Sequence, residues 1–140
     1  MYSESEFYKW RFLIALAHVD GKLMREEQQF LREKIQEHAP EGMHHRLFDE
    51  MMEDMLSPKP PDLFFYKIEE AKDKVDVLNL AHMLFWADGD FGDEEKAFLD
   101  EVLEAIKADE ATLSLLKEDM ASWDGSEAKT ELKAYVEGRV

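Results

Sequence analysis

Cysteine is absent from all 140 residues of the chain, which removes disulfides, thiolate metal sites and cysteine nucleophiles together. Glycine and proline are scarce, at six and four. No stretch alternates apolar and polar residues for long, so β-structure is not expected. No apolar run approaches the ~18 residues a membrane span needs. Basic residues are few: 17 Lys and Arg stand against 33 Asp and Glu, giving a formal net charge of −16. That potential repels phosphate backbones and anionic lipid, so neither nucleic acid binding nor membrane insertion is expected. Cations and basic protein surfaces are favoured instead, although the same charge is what a solvated helix surface carries. The opening Met1-Tyr2-Ser3-Glu4-Ser5-Glu6 lacks the basic segment of a signal peptide, and a cytoplasmic location is expected.

What remains is apolar periodicity at helical spacing. Ser3-x-x-Glu6 reads as a capping box opening a helix whose face is Phe7, Trp10, Ile14 and Ala17, closed at Asp20-Gly21. A second helix is expected over 25–38, a third over 41–56, and a short one over 62–70 with Leu63, Phe64 and Ile68 inward. Between the last two, Ser57-Pro58-Lys59-Pro60-Pro61 reads as a stiff connector. A near-continuous apolar run makes the helix over 73–87 central. Helices over 93–107, 109–120 and 126–137 complete the chain around Trp123.

The chain also repeats itself. Residues 20–31 read Asp-Gly-Lys-Leu-Met-Arg-Glu-Glu-Gln-Gln-Phe-Leu, and residues 88–99 read Asp-Gly-Asp-Phe-Gly-Asp-Glu-Glu-Lys-Ala-Phe-Leu. At an offset of 68, six of twelve positions are identical, where average composition gives about one. Each copy follows an apolar helix and opens an amphipathic one. The expected fold is therefore all-α: one domain over 1–140, a compact pseudo-twofold bundle of about seven or eight helices. Its two helix–loop–helix units span 7–38 and 75–106.

The twofold use of Asp-Gly-x-apolar-x-x-Glu-Glu-x-x-Phe-Leu resembles the TerB-like domain of tellurite-resistance proteins, over about Phe7 to Ile106 and more weakly beyond. That resemblance implies a helical bundle with internal pseudo-twofold symmetry, a place in stress-response and membrane-associated systems, metal or partner binding, and no enzymatic activity. The chain departs from the family pattern at Met24-Arg25 and Gly92-Asp93, where an Asp or Ser cap followed by Pro is common, and it has no J-domain His-Pro-Asp signature.

Two readings of the repeat stand side by side. Asp20, Glu27, Asp88 and Glu95 supply four carboxylates of the kind that hold Ca²⁺, Mg²⁺ or Mn²⁺, if the loops converge. Alternatively Glu27 and Glu95 sit at the third helical position and cap their own helices, while the Asp side chains bond loop amides. The second stretch is not an EF-hand, since Asp93 stands where glycine is required and Leu99 where the bidentate Glu belongs. His18 and His82 fall on apolar helices and read as core or boundary residues. His38, His44 and His45 have no chelating spacing. Met43, Met51, Met52 and Met55 beside Phe48 read either as core or as an adaptable partner groove. No nucleophile elbow, phosphate loop or dinucleotide fingerprint is present, so no catalytic residue is assigned and the chain is not expected to be an enzyme. A protein partner is expected, with a divalent cation as the one candidate cofactor.

Overall fold

Ser3 starts the first helix as its capping box predicts: its hydroxyl accepts the Glu6 N–H at 3.1 Å, and α1 (Glu4–Ala17) follows. In the computed structural model, which describes residues 3–18, 25–87, 93–123 and 125–140 without the side chains of Ala87, Glu94 and Glu95, every regular element is helical. After α1 come α2 (Arg25–His38), a 3₁₀ turn (Glu41–Met43), α3 (His44–Leu56) and α4 (Asp62–Phe65). The second half holds α5 (Ala71–Ala87), α6 (Asp93–Lys107), α7 (Glu110–Met120) and α8 (Glu127–Glu137). Asp109 and Ser126 cap α7 and α8 with their side chains. No described helix is long and apolar enough to cross a membrane.

The packing repeats in the same order as the sequence. In the first half α1 packs on α2, α3 and α4, and α2 on α3; in the second, α5 packs on α6, α7 and α8, and α6 on α7. The first helices of the two halves, α1 and α5, pack on each other. Burial follows the 68-residue offset. Phe7, Trp10, Leu13 and Ala17 are buried, and so are Val75, Leu78, Ala81 and Phe85; Leu31 and Ile35 answer to Leu99 and Leu103. The duplication thus reaches α3, α4, α7 and α8, beyond the segments where identity is visible.

Buried charge sets how the first half closes. The guanidinium of Arg11 donates to both oxygens of Asp54, at 2.6 and 2.8 Å, and also reaches Glu50. Arg11 and Asp54 are 1% and 0% exposed, and Phe64 of α4 lies on the guanidinium face at 4.1 Å. Asp54 therefore occupies the inner stripe of α3 with Leu47 and Met51. This corrects the reading of the methionines: Met43 and Met51 are core, but Met52 and Met55 turn outward because Asp54 takes the inward position. A second correction concerns 62–70. The helix ends at Phe65, Leu63 is exposed, and only Ile68 is fully inward. Lys67 and Ile68 form tight three-residue backbone bonds, and the Ser5 hydroxyl accepts the N–H groups of Glu69 and Glu70, so α1 draws the chain out of the helical path.

Two measurements test this account. Arg11→Met or Asp54→Leu alone should each destabilise the chain by about 3–5 kcal/mol in urea unfolding, because each leaves a charge buried without its partner. The double variant should cost clearly less than the sum, Glu50 and Lys59 being partly exposed and able to turn to water; strict additivity would mean the pair is not a unit. At α7, the hydrogen bond from the Thr112 hydroxyl is the main reason the Asp109 carboxyl is held below its usual range. A carboxyl depressed in the folded state stabilises above its unfolded pKa, and that share is lost as pH falls through the folded value. The stability advantage of wild type over Asp109→Ala should accordingly shrink on acidification below about pH 4, as followed by thermal melts across pH.

Candidate functional site

The repeat directs attention first to the connections between α1 and α2 and between α5 and α6. Asp20, Asp88 and the side chain of Glu95 lie outside the described residues, so of the four candidate ligands only Glu27 has a described position. It stands in the first turn of α2 and is 4% exposed, which is unusual for a carboxylate. Among the described residues, no group of three or more His, Asp or Glu is placed to hold a metal ion.

His18 stands at the other end of the same connection, as the residue capping α1. Its Nδ1 is 2.8 Å from the Ile14 carbonyl oxygen. A carbonyl only accepts, so Nδ1 carries the proton, and in the neutral ring Nε2 keeps its lone pair. Nε2 is buried and has no hydrogen-bond partner among the described residues. This is the arrangement a metal-binding imidazole takes, with one nitrogen fixed by backbone and the other bare. Sequence reading placed His18 in the core, correctly, but periodicity carries no information about which ring nitrogen is engaged.

Of the remaining histidines, His82 and His44 hold elements together. His82 is buried and its Nε2 lies 2.7 Å from Glu131, joining α5 to α8. His44 Nε2 donates to the Ala39 carbonyl, and His45 lies exposed beside Asp49.

A second site was not visible in the sequence. Where α1, α2, α5, α7 and α8 meet, they leave a cleft of about 420 Å³. Lys9 from α1, Lys34 from α2, Lys72 from α5 and Lys129 from α8 all line it, with His38 at its edge. Three carboxylates also reach it, those of Glu6, Asp76 and Asp119. With Asp73 on Lys9, lysines and carboxylates are in balance around this cleft, on a chain of charge −16. Lys9 is already committed: its Nζ lies 3.4 Å from Asp73 and 3.3 Å from Asp76, tying α1 to α5. Asp119 accepts from Asn79 and from the Trp123 indole, both at 3.0 Å.

The repeat explains why a cleft forms there. Arg11 and Asn79 occupy the same place at the 68-residue offset, and each ties the first helix of its half to a carboxylate on the third, Arg11 to Asp54 and Asn79 to Asp119. The arginine fills and seals its side with Phe64 laid over it. The shorter asparagine does not, and the space beside Asn79 stays open.

Long-range ¹H–¹⁵N spectra should show a proton on Nδ1 of His18; a ring with Nδ1 unprotonated would contradict the geometry described.

Neither a family model, nor a curated protein, nor a solved structure matches this chain, so its reading rests on its own residues.

Proposed function

We propose that this chain is a non-enzymatic binding module of the TerB-like kind, in a stress or tellurite-resistance type of system. It acts through the face that carries its duplicated Asp-Gly-x-x-x-x-Glu-Glu stretches. Asp20, Glu27, Asp88 and Glu95 are the proposed ligands of a divalent cation, and a protein partner is the proposed recipient of the resulting surface. The observation that carries the reading is His18. A buried imidazole nitrogen with no partner among the described residues at one end of residues 19–24, and a buried carboxylate, Glu27, just past the other, bracket the first acidic stretch in sequence. Folding alone gives no return for leaving a buried acceptor unpaired, which costs about 1–3 kcal/mol. Adding a nitrogen donor to carboxylates shifts the preference among Ca²⁺, Mg²⁺ and Mn²⁺ toward Mn²⁺, since imidazole suits transition metals better than hard cations.

A second reading keeps the partner and drops the metal. It is favoured by the apolar residues on α3 and α4 that remain outside the core: Met52 is 61% exposed and Leu56 90%, with Met55 and Leu63 also exposed. In that case the acidic stretches are helix caps and the docking face is apolar.

Metal linkage separates the two. Chelator-treated protein should gain thermal stability on adding Mn²⁺, by about 2.7 kcal/mol when free metal reaches about a hundred times Kd. His18→Gln, Glu27→Gln with Glu95→Gln, and Asp20→Asn with Asp88→Asn should each lose most of that gain, at ionic strength matched with NaCl to remove plain screening. Equal responses from wild type and all three variants would eliminate the metal and leave the partner-only reading.

A further inference from the structure

We propose that the exposed apolar residues at the end of α3 and on α4, with the groove between α4 and α6 beside them, form the docking surface for a basic amphipathic helix of a partner protein. The inference rests on the apolar docking face of the second reading above and names the class of its partner.

Exposed apolar side chains are concentrated in this part of the chain. Seven large ones are exposed among the described residues, and five of them, Met52, Met55, Leu56, Leu63 and Tyr66, fall between residues 52 and 66. Single exposed apolar residues need no explanation, whereas a gathering of them marks an interaction surface. The two elements that carry them are neighbours. Arg11 donates to Asp54 of α3, and the Phe64 ring of α4 lies 4.1 Å from the same guanidinium.

Spacing selects a helical partner. Met52, Met55 and Leu56 stand at i, i+3 and i+4, one row on the surface of α3. Such rows interlock with those of a second helix. Every regular element described is helical, so no sheet edge is offered for an extended peptide to join. Methionine side chains adapt to the shape they meet, which suits this use. Beside them Phe65, Tyr66 and Ala105 line a groove of about 330 Å³ with Asp100, Glu101 and Glu104 along it, room for an anchoring side chain.

Charge selects a basic partner. The stretch 49–66 holds one basic residue, Lys59, whose ammonium is already bonded to Asp54 at 3.1 Å. Asp49, Glu53 and Asp62 are exposed on the same two elements. Glu101, in the wall of the groove, also meets Asp62 of α4. Partial desolvation, then the charge and hydrogen bond of Asp62, hold the Glu101 carboxyl above its usual range. Neither carboxylate forms an ion pair with Lys or Arg among the described residues. A lysine or arginine brought by a partner relieves that like-charge contact. A second copy of this chain fits poorly, since it would set acid against acid at −16 for each copy. An anionic lipid surface is repelled for the same reason.

Three synthetic peptides of about 18 residues, five helical turns, are the probes. The first carries leucine at i, i+3, i+4 and i+7 spacing with lysine elsewhere. The second is a scrambled sequence of the same composition, and the third keeps the pattern with glutamate for lysine. In ¹H–¹⁵N and methionine-methyl spectra of the full chain, the first should give saturable shifts at residues 52–66 and 100–105. It should bind at least about tenfold more tightly than either of the others. The triple variant Leu56→Ser, Leu63→Ser, Tyr66→Ser should weaken it by at least about tenfold; Leu56→Ser alone, at a position 90% exposed, serves if the triple variant does not fold. Asp62→Asn with Glu101→Gln should weaken binding and flatten its salt dependence, whereas Glu33→Gln with Glu118→Gln, exposed on α2 and α7, should do neither. Equal binding by the scrambled peptide would mean that charge alone is at work and would overturn the proposal. Equal binding by the glutamate peptide at residues 52–66 would overturn the basic partner and keep the apolar docking face. No shifts at 52–66 with any peptide at about 1 mM would remove both. A dimer in sedimentation that the triple variant dissolves would overturn the proposal in favour of a second copy.

Discussion

The first half of the molecule is organised around one buried ion pair. Placing a guanidinium and a carboxylate in a core is expensive unless every donor finds its acceptor, and Arg11 meets that condition through Asp54 and Glu50. The consequences extend along α3. With Asp54 turned inward, the inner stripe runs Leu47, Met51, Asp54, and the neighbouring Met52 and Met55 have no core left to enter. Lys59, in the proline-rich connector, adds a second cation to Asp54 at 3.1 Å and so holds the connector against the end of α3. Phe64 then closes over the guanidinium. A single charge on α1 thereby fixes the rotation of α3, the path of the connector and the position of α4.

The second half repeats the plan with a weaker version of that tie, and the difference has structural consequences. Asn79 carries no charge and reaches less far than Arg11, so the contact to Asp119 orients α7 without filling the space beside it. Trp123 donates to the same Asp119 oxygen as Asn79 and is itself buried. The two halves are joined by another buried ionic contact, Lys9 with Asp73 and Asp76. Duplicated units that keep the same contact pattern can therefore differ at one polar position and leave the space beside Arg11 sealed and the space beside Asn79, between the halves, open.

Much of the fold was legible because it depends on local periodicity. The ends of α2 and α6 and the capping boxes or caps at Ser3, Asp109 and Ser126 follow from residue type and spacing alone. The errors arose where a distant partner overrode the local signal. Met52, Met55 and Leu63 are apolar at helical spacing, and only Arg11, more than 40 residues away in sequence from the methionines, decides that Asp54 displaces the first two. The candidate site divides the same way. Identity at an offset of 68 reveals the acidic stretches, but Asp20, Asp88 and the Glu95 side chain fall outside the described residues. The lysine cleft has no motif at all, because its residues come from separate helices. One sign of it was available, the exchange of arginine for asparagine between equivalent positions, though its meaning needs the packing.

Helix α2 shows how far folding physics accounts for charge in this protein and where it stops. Glu26 and Glu27 lie in its first turn and His38 in its last, the arrangement the helix dipole favours, so nothing beyond stability is required for them. The same rule applied to α5 and α8 gives the opposite result at Lys72 and Lys129, each beside an acid that does obey it, Asp73 and Glu127. Asp73 pairs with Lys9, and its remaining oxygen is buried without a partner among the described residues. Lys72 is exposed, so water solvates its ammonium and the unfavourable dipole contribution there stays the small one of a surface charge.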